Sequence, residues 1–162
     1  MVRVIAVALL LAGAPIAAQG PAVPPQPPIA GTWKLNAEKS GVQVPPDYVE
    51  IRQYRLRADG YLVGLLFTGN ARGLRYLQFT AKSDGKDYPE HSDQIVADMI
   101  AAGTPTPRTY AETKIDDYTT AWIDKVNGQI TAQGRKIVSK DGRTLTITVD
   151  GQTAIRVYDR QP

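Results

Sequence analysis

Five Asp-Gly or Asn-Gly pairs cut this chain into short runs, at Asp59-Gly60, Asp84-Gly85, Asn127-Gly128, Asp141-Gly142 and Asp150-Gly151. Such a pair between β-forming runs is the strongest short-range signal for a hairpin, because tight turns need positive φ and these residues tolerate it. Repeated along one small domain, it dictates consecutive antiparallel strands. The runs read as strands over 31–36, 48–57, 61–68, 74–82, 108–115, 118–125, 130–138, 144–149 and 153–159. In 144–149, Leu145, Ile147 and Val149 alternate with threonines, giving one buried and one wet face. An open sheet of eight or nine such strands exposes two edges. Closure into an up-and-down barrel removes them, so the fold class expected is an all-β antiparallel barrel of eight or nine strands.

One segment breaks the pattern. SDQIVADMIAAG, residues 92 to 103, has a Ser or Asp cap, Ile95, Val96, Met99 and Ile100 at helical spacing, and Gly103 as a stop. A short helix is expected there. Strand 61–68, YLVGLLFT, is apolar on both faces, and the helix is the expected cover for its outer one.

The ends of the chain read differently. Arg3, an apolar run from Val4 to Ala12 and then small residues with Pro15 have the three regions of a signal peptide over 1–18, cut after Ala18. The run is too short for a membrane span, which needs about 20 apolar residues, so no stable membrane insertion is expected after cleavage. Residues 19–30 read as a linker, since PAVPPQPP carries five prolines in eight positions and favours an extended polyproline II spacer. The domain proper is 31–162. With no cysteine, disulfides and thiolate chemistry are excluded and stability must come from a core. Formal net charge is +3, or +2 without Arg3, and the basic residues are interspersed with acids, so nucleic acid is not an expected partner. The expectation is an exported monomer, periplasmic or secreted.

The first strand opens with Gly31-Thr32-Trp33. This motif, with GTWKLNAEKS, DGKDYP, GRKIVSKDGRTLTIT and VYDRQ along residues 31 to 161, resembles a group of small exported bacterial lipocalin-like (calycin) proteins of unassigned function. The resemblance implies a barrel whose closed end is plugged by Trp33, with an arginine of the last strand packed across it. Arg156 and Arg160 both qualify, and a guanidinium on indole has a basis in cation–π attraction. The resemblance brings no activity and no catalytic residues.

An eight-stranded barrel is about the size that holds one small ligand. Taking the apolar face of each strand, the expected ligand-binding residues are Leu65, Phe67, Leu77, Phe79, Tyr110 and Trp122, and the expected ligand is a small hydrophobic or amphipathic molecule. The one histidine, His91, stands among Asp87, Glu90 and Asp93 and is the candidate base of an alternative reading, an isomerase or hydrolase using the barrel cavity. One histidine without a second imidazole or a thiolate makes a poor transition-metal site, so neither metal nor cofactor is expected. Ser92 reads as the helix cap. A third class is a protein-binding or inhibitor module of the cell envelope, acting through its loops.

Overall fold

The turns do what their chemistry requires. In a computed structural model, which describes residues 24–162, Asn127 and Gly128 both take positive φ, 51° and 76°. They join two strands whose Val126 and Gln129 are directly paired. The expected leader, 1–18, and the expected linker as far as 23 lie outside the described residues.

The described residues form ten strands: β1 Gly31–Leu35, β2 Val49–Leu56, β3 Leu62–Asn70, β4 Gly73–Ala81, β5 Tyr88–Ser92, β6 Arg108–Lys114, β7 Thr119–Val126, β8 Gln129–Val138, β9 Thr144–Val149 and β10 Arg156–Arg160. Among the same residues two helices interrupt them, a single turn α1 at Ala37–Ser40 and α2 at Asp93–Ala102. Each strand pairs antiparallel with its sequence neighbour, and β1 closes on β10. The result is a closed up-and-down barrel with ten strands rather than eight or nine. The additional strand is β5, Tyr-Pro-Glu-His-Ser, which bridges β4 through Phe79↔Glu90 and β6 through Tyr88↔Tyr110.

Because the strands alternate in direction, the barrel has two distinct ends. One holds the start of β1 and the end of β10. There Trp33 is wholly buried and donates from Nε1 to the Ile29 carbonyl at 2.8 Å. The guanidinium over its ring, 4.2 Å from the centroid, belongs to Arg160. Arg160 also donates to the carbonyls of Pro28, Ala30 and Gly142. Arg156, the other residue expected in that place, is not there. Both arginines share the inward face of β10 with Tyr158, but at about 3.3 Å per residue they stand roughly 13 Å apart along the barrel. Depth separates them, not strand register, and Arg156 bonds Glu50 at the opposite end.

The proline-rich segment is the second correction. From Gln26 onward it is part of the fold. Gln26 exchanges two hydrogen bonds with the backbone of Leu56, at 2.9 and 3.0 Å. Ile29 is buried in the core, and Ala30 closes a turn on Pro27 at 2.8 Å. The segment's carbonyls then serve as acceptors that seal the end, Ile29 for the Trp33 indole, and Pro28 and Ala30 for the Arg160 guanidinium.

Helix α2 departs from expectation in its seat. It packs against β4 and β5 rather than over β3. None of its residues is fully buried, and Val96, Met99 and Ile100 are exposed. Ser92 occupies its N-cap position but makes no side-chain cap bond.

Candidate functional site

The inward faces set the chemistry of the interior, and they are only partly apolar. On β2 they carry Glu50, Arg52 and Tyr54, on β5 Glu90 and Ser92, on β6 Tyr110 and Glu112, on β7 Trp122 and Asp124, and on β8 Lys136. Charges taken from water are costly unless paired and hydrogen-bonded. Two clusters provide the pairing.

The first cluster crosses the middle of the barrel. Lys136, 3% exposed, forms a close ion pair with Glu112, 2% exposed, and donates to the Tyr110 hydroxyl at 2.6 Å. Tyr110 donates to Glu112 at 2.6 Å, and Ser83 donates to the other carboxylate oxygen at 3.0 Å. Burial works against ionising Glu112, yet Lys136 and these donors hold its carboxyl below the usual range. Burial and Glu112 push the Tyr110 hydroxyl well up, so it stays a neutral donor. The ammonium lies 5.0–5.3 Å from the ring centroids of Tyr54, Phe79 and Tyr110. Phe79 and Tyr110 stack at 3.7 Å. Gly64 makes room for this layer, since a Cβ there would overlap the Phe79 ring. The layer divides the interior into two chambers, both touching Lys136.

The chamber toward Trp33 has a volume of about 500 Å³ and is walled by Pro25–Ile29, Leu62, Tyr118 and Val138. Its innermost polar groups, Ser83, Glu112 and Lys136, are partnered with one another. The chamber at the opposite end, here called the cup, has a volume of about 400 Å³. Leu66, Leu77, Phe79, Trp122, Ile147 and Val149 give it an apolar arc. Glu50, Arg52, Asp124 and Arg156 give it a polar one.

The second cluster sits on that polar arc. Glu50 accepts from Tyr48 at 2.8 Å, from Arg156 at 3.3 Å, from Arg52 at 3.5 Å and, closely, from Tyr158, whose hydroxyl also accepts from Arg52 Nε at 2.8 Å. Burial and Glu50 push the Tyr48 hydroxyl up to about 12. Across the cup, Asp124 is different. Burial and the neighbouring Glu90 raise its carboxyl to about 6, against the opposing pull of Arg52 and Lys136. Burial likewise raises Glu90, and the adjacent Ser92 hydroxyl and Arg108 do not offset it.

Glu90 lines a small annex of about 190 Å³ beside the cup, at the foot of α2, with Ser92, Gln94 and Arg108. Leu66, Thr68 and Leu77 border both spaces. Ser92 Oγ, Arg108 Nε and Trp122 Nε1 are buried without a hydrogen-bond partner. Buried polar atoms are nearly always satisfied, so three orphans around one cavity and its annex need a reason.

Of the six residues expected to bind ligand, Leu77, Phe79, Tyr110 and Trp122 line the cup. Leu65 and Phe67 do not. The inward residues of β3 are Leu62, Gly64, Leu66 and Thr68, and Leu65 instead borders an outer groove with Val63 and Gln53. His91 is exposed and faces away from the interior, between inward Glu90 and Ser92. Its companions are dispersed, Asp87 onto Lys125 at 2.8 Å and Asp93 beside Arg75 at 3.7 Å. Among the described residues no three His, Cys, Asp or Glu side chains are grouped to hold a metal ion.

The chain matches no known family profile, and no curated protein matches it.

Proposed function

We propose that this chain is an exported, lipocalin-like binding protein, acting in the periplasm or outside the cell as a monomer, that takes a small amphipathic molecule in the cup. The observation that carries the reading is the cup's division into an apolar arc and a polar arc around about 400 Å³, a volume and lining typical of small-molecule sites. Trp33 beneath the Arg160 guanidinium supports the lipocalin-like assignment. A purely apolar occupant would leave Glu50, Arg52 and Asp124 facing hydrocarbon, which favours a ligand with a polar group. The His91 enzyme reading loses its support, because that side chain stands outside the cavity it would have to serve.

The test is native mass spectrometry of protein isolated from its host's exported fraction, followed by titration with a neutral naphthylamine dye. A retained small molecule, displaced by the dye, is the expected result. The substitution Leu66→Trp, which fills the cup, should abolish dye uptake while leaving the circular dichroism of the barrel unchanged. Undiminished dye binding by that variant would place any ligand elsewhere and refute the proposal.

A further inference from the structure

We infer that the cup selects a ligand bearing a protonated amine, docked between Asp124 and Glu90 with its apolar body against Trp122 and Leu66. This rests on the cup being the binding site. Its basis is a charge inventory of the interior. Lys136 pairs with Glu112, Arg52 and Arg156 pair with Glu50, and Arg108 reaches Asp98 at 3.9 Å. Among the described residues, the interior charges left without an ion pair are both carboxylates, Asp124 and Glu90. They flank β6 from β5 and β7, near enough for Glu90 to act on Asp124, where cup and annex share Leu66, Thr68 and Leu77.

An independent observation points the same way. Ser92, 6% exposed, lines the annex with its hydroxyl beside the Glu90 carboxyl and outside any well-formed hydrogen bond, although its position at the start of α2 would let it cap the helix instead. A hydroxyl and two carboxylates are three acceptors for the three N–H donors of a primary ammonium. Trp122 and Tyr110 add aromatic faces, which attract a desolvated cation. Among the described residues the interior cations already face carboxylates, Lys136 that of Glu112, Arg52 and Arg156 together that of Glu50, and Arg108 that of Asp98 with its Nε still unbonded.

The groups facing Asp124 are Glu90 from β5, Tyr110 from β6, Lys136 from β8 and Arg52 from β2. Tyr110 stays neutral, and burial together with Glu90 already holds Asp124 near 6. A bound ammonium lowers that value and favours the carboxylate. Binding of the amine therefore weakens as the pH falls below about 6.

The experiment compares decylamine, 1-decanol and decanoate as competitors of the neutral dye, at about pH 7.5 and about pH 5. Decylamine should displace the dye at least about tenfold more effectively than decanol at the higher pH, as expected for a charge-assisted contact in a desolvated site, and should lose most of that advantage at the lower pH. Asp124→Asn and Glu90→Gln should each erode the preference while decanol binding persists, which shows that the cup is still folded. Decanoate binding as well as decylamine, or an amine preference untouched by both substitutions, overturns the inference and leaves the cup reading intact. Failure of all three probes and of the dye overturns the cup reading itself.

Discussion

Asp124 is a carboxylate held where it is expensive to ionise, and this should be visible in stability. Its carboxyl is raised from 3.8 to about 6 by burial and by Glu90. Each unit corresponds to about 1.4 kcal/mol, so the folded state is weakened by up to about 3 kcal/mol once the group ionises. Asp124 is half-buried and open to the cup, so about 2 kcal/mol is the working figure after allowance for solvent. The sign follows from proton binding. Between about 4 and 6 the folded state binds more protons at this group than the unfolded one, so the Asp124 contribution to stability is greatest below about pH 4 and is lost as the pH rises through 6. Asp124→Asn keeps the shape and removes the charge. It should stabilise the unliganded protein by about 2 kcal/mol near pH 7.5, roughly 8 °C in Tm for a domain of this size, and change little near pH 4. Urea unfolding of both proteins at the two pH values measures the difference. A variant no more stable than the parent at the higher pH, or equally more stable at both, would refute the reasoning, because neither fits an ionisation penalty at this position.

Arg160→Ala removes three hydrogen bonds to carbonyls and a cation over Trp33, and should cost about 2–4 kcal/mol in urea unfolding. Arg156→Ala, at the half-exposed rim, should cost under about 1 kcal/mol. Lys136→Met alone strands the Glu112 charge and should cost about 3–5 kcal/mol, while Lys136→Met combined with Glu112→Leu should recover most of that loss, as a double-mutant cycle will show. Ser92→Ala should cost under about 0.5 kcal/mol by thermal unfolding, below the usual ~1 kcal/mol for losing an N-cap, because its hydroxyl caps nothing here.

Nine of the ten strands were legible because their turns and alternation are local properties. The β5 strand was not, for a physical reason. Its inward positions are Glu90 and Ser92 and its outward ones include His91, so the hydrophobic alternation that marks a half-buried strand is absent, and Pro89 argues further against a strand. The parity of β3 is obscured for the opposite reason, an excess of signal. Val63, Leu65 and Phe67 outweigh Leu62, Gly64 and Leu66 in bulk, yet the lighter set faces inward because Gly64 lies against the inward Phe79 ring across the β3–β4 ladder. Hydrophobic bulk alone does not assign a face when both are covered. Registering the strand against β4, whose Phe79 and Leu77 are separated by a polar Gln78, would have assigned it correctly. The choice between Arg156 and Arg160 called for depth along the barrel, which depends on closure of β1 onto β10 and so on contacts more than 120 residues apart, such as Lys34↔Asp159.

The polar half of the site was hidden by the same logic that exposed the core. A reading that takes the apolar face of each strand as the inward one must discard Glu50, Arg52, Glu90, Asp124 and Lys136, and these are the residues that make the cup more than a packed interior. At the Trp33 end, where Trp33 and Leu145 are fully buried, pattern and fold agree. At the cup they disagree on β2, β5, β7 and β8 together. Disagreement between local pattern and global fold is costly, and natural chains tolerate it chiefly where function requires it. In this barrel the disagreements converge on one cavity. The inverted pattern on those four strands is itself the sequence signal for the site, legible only after closure of the barrel shows that their polar faces meet.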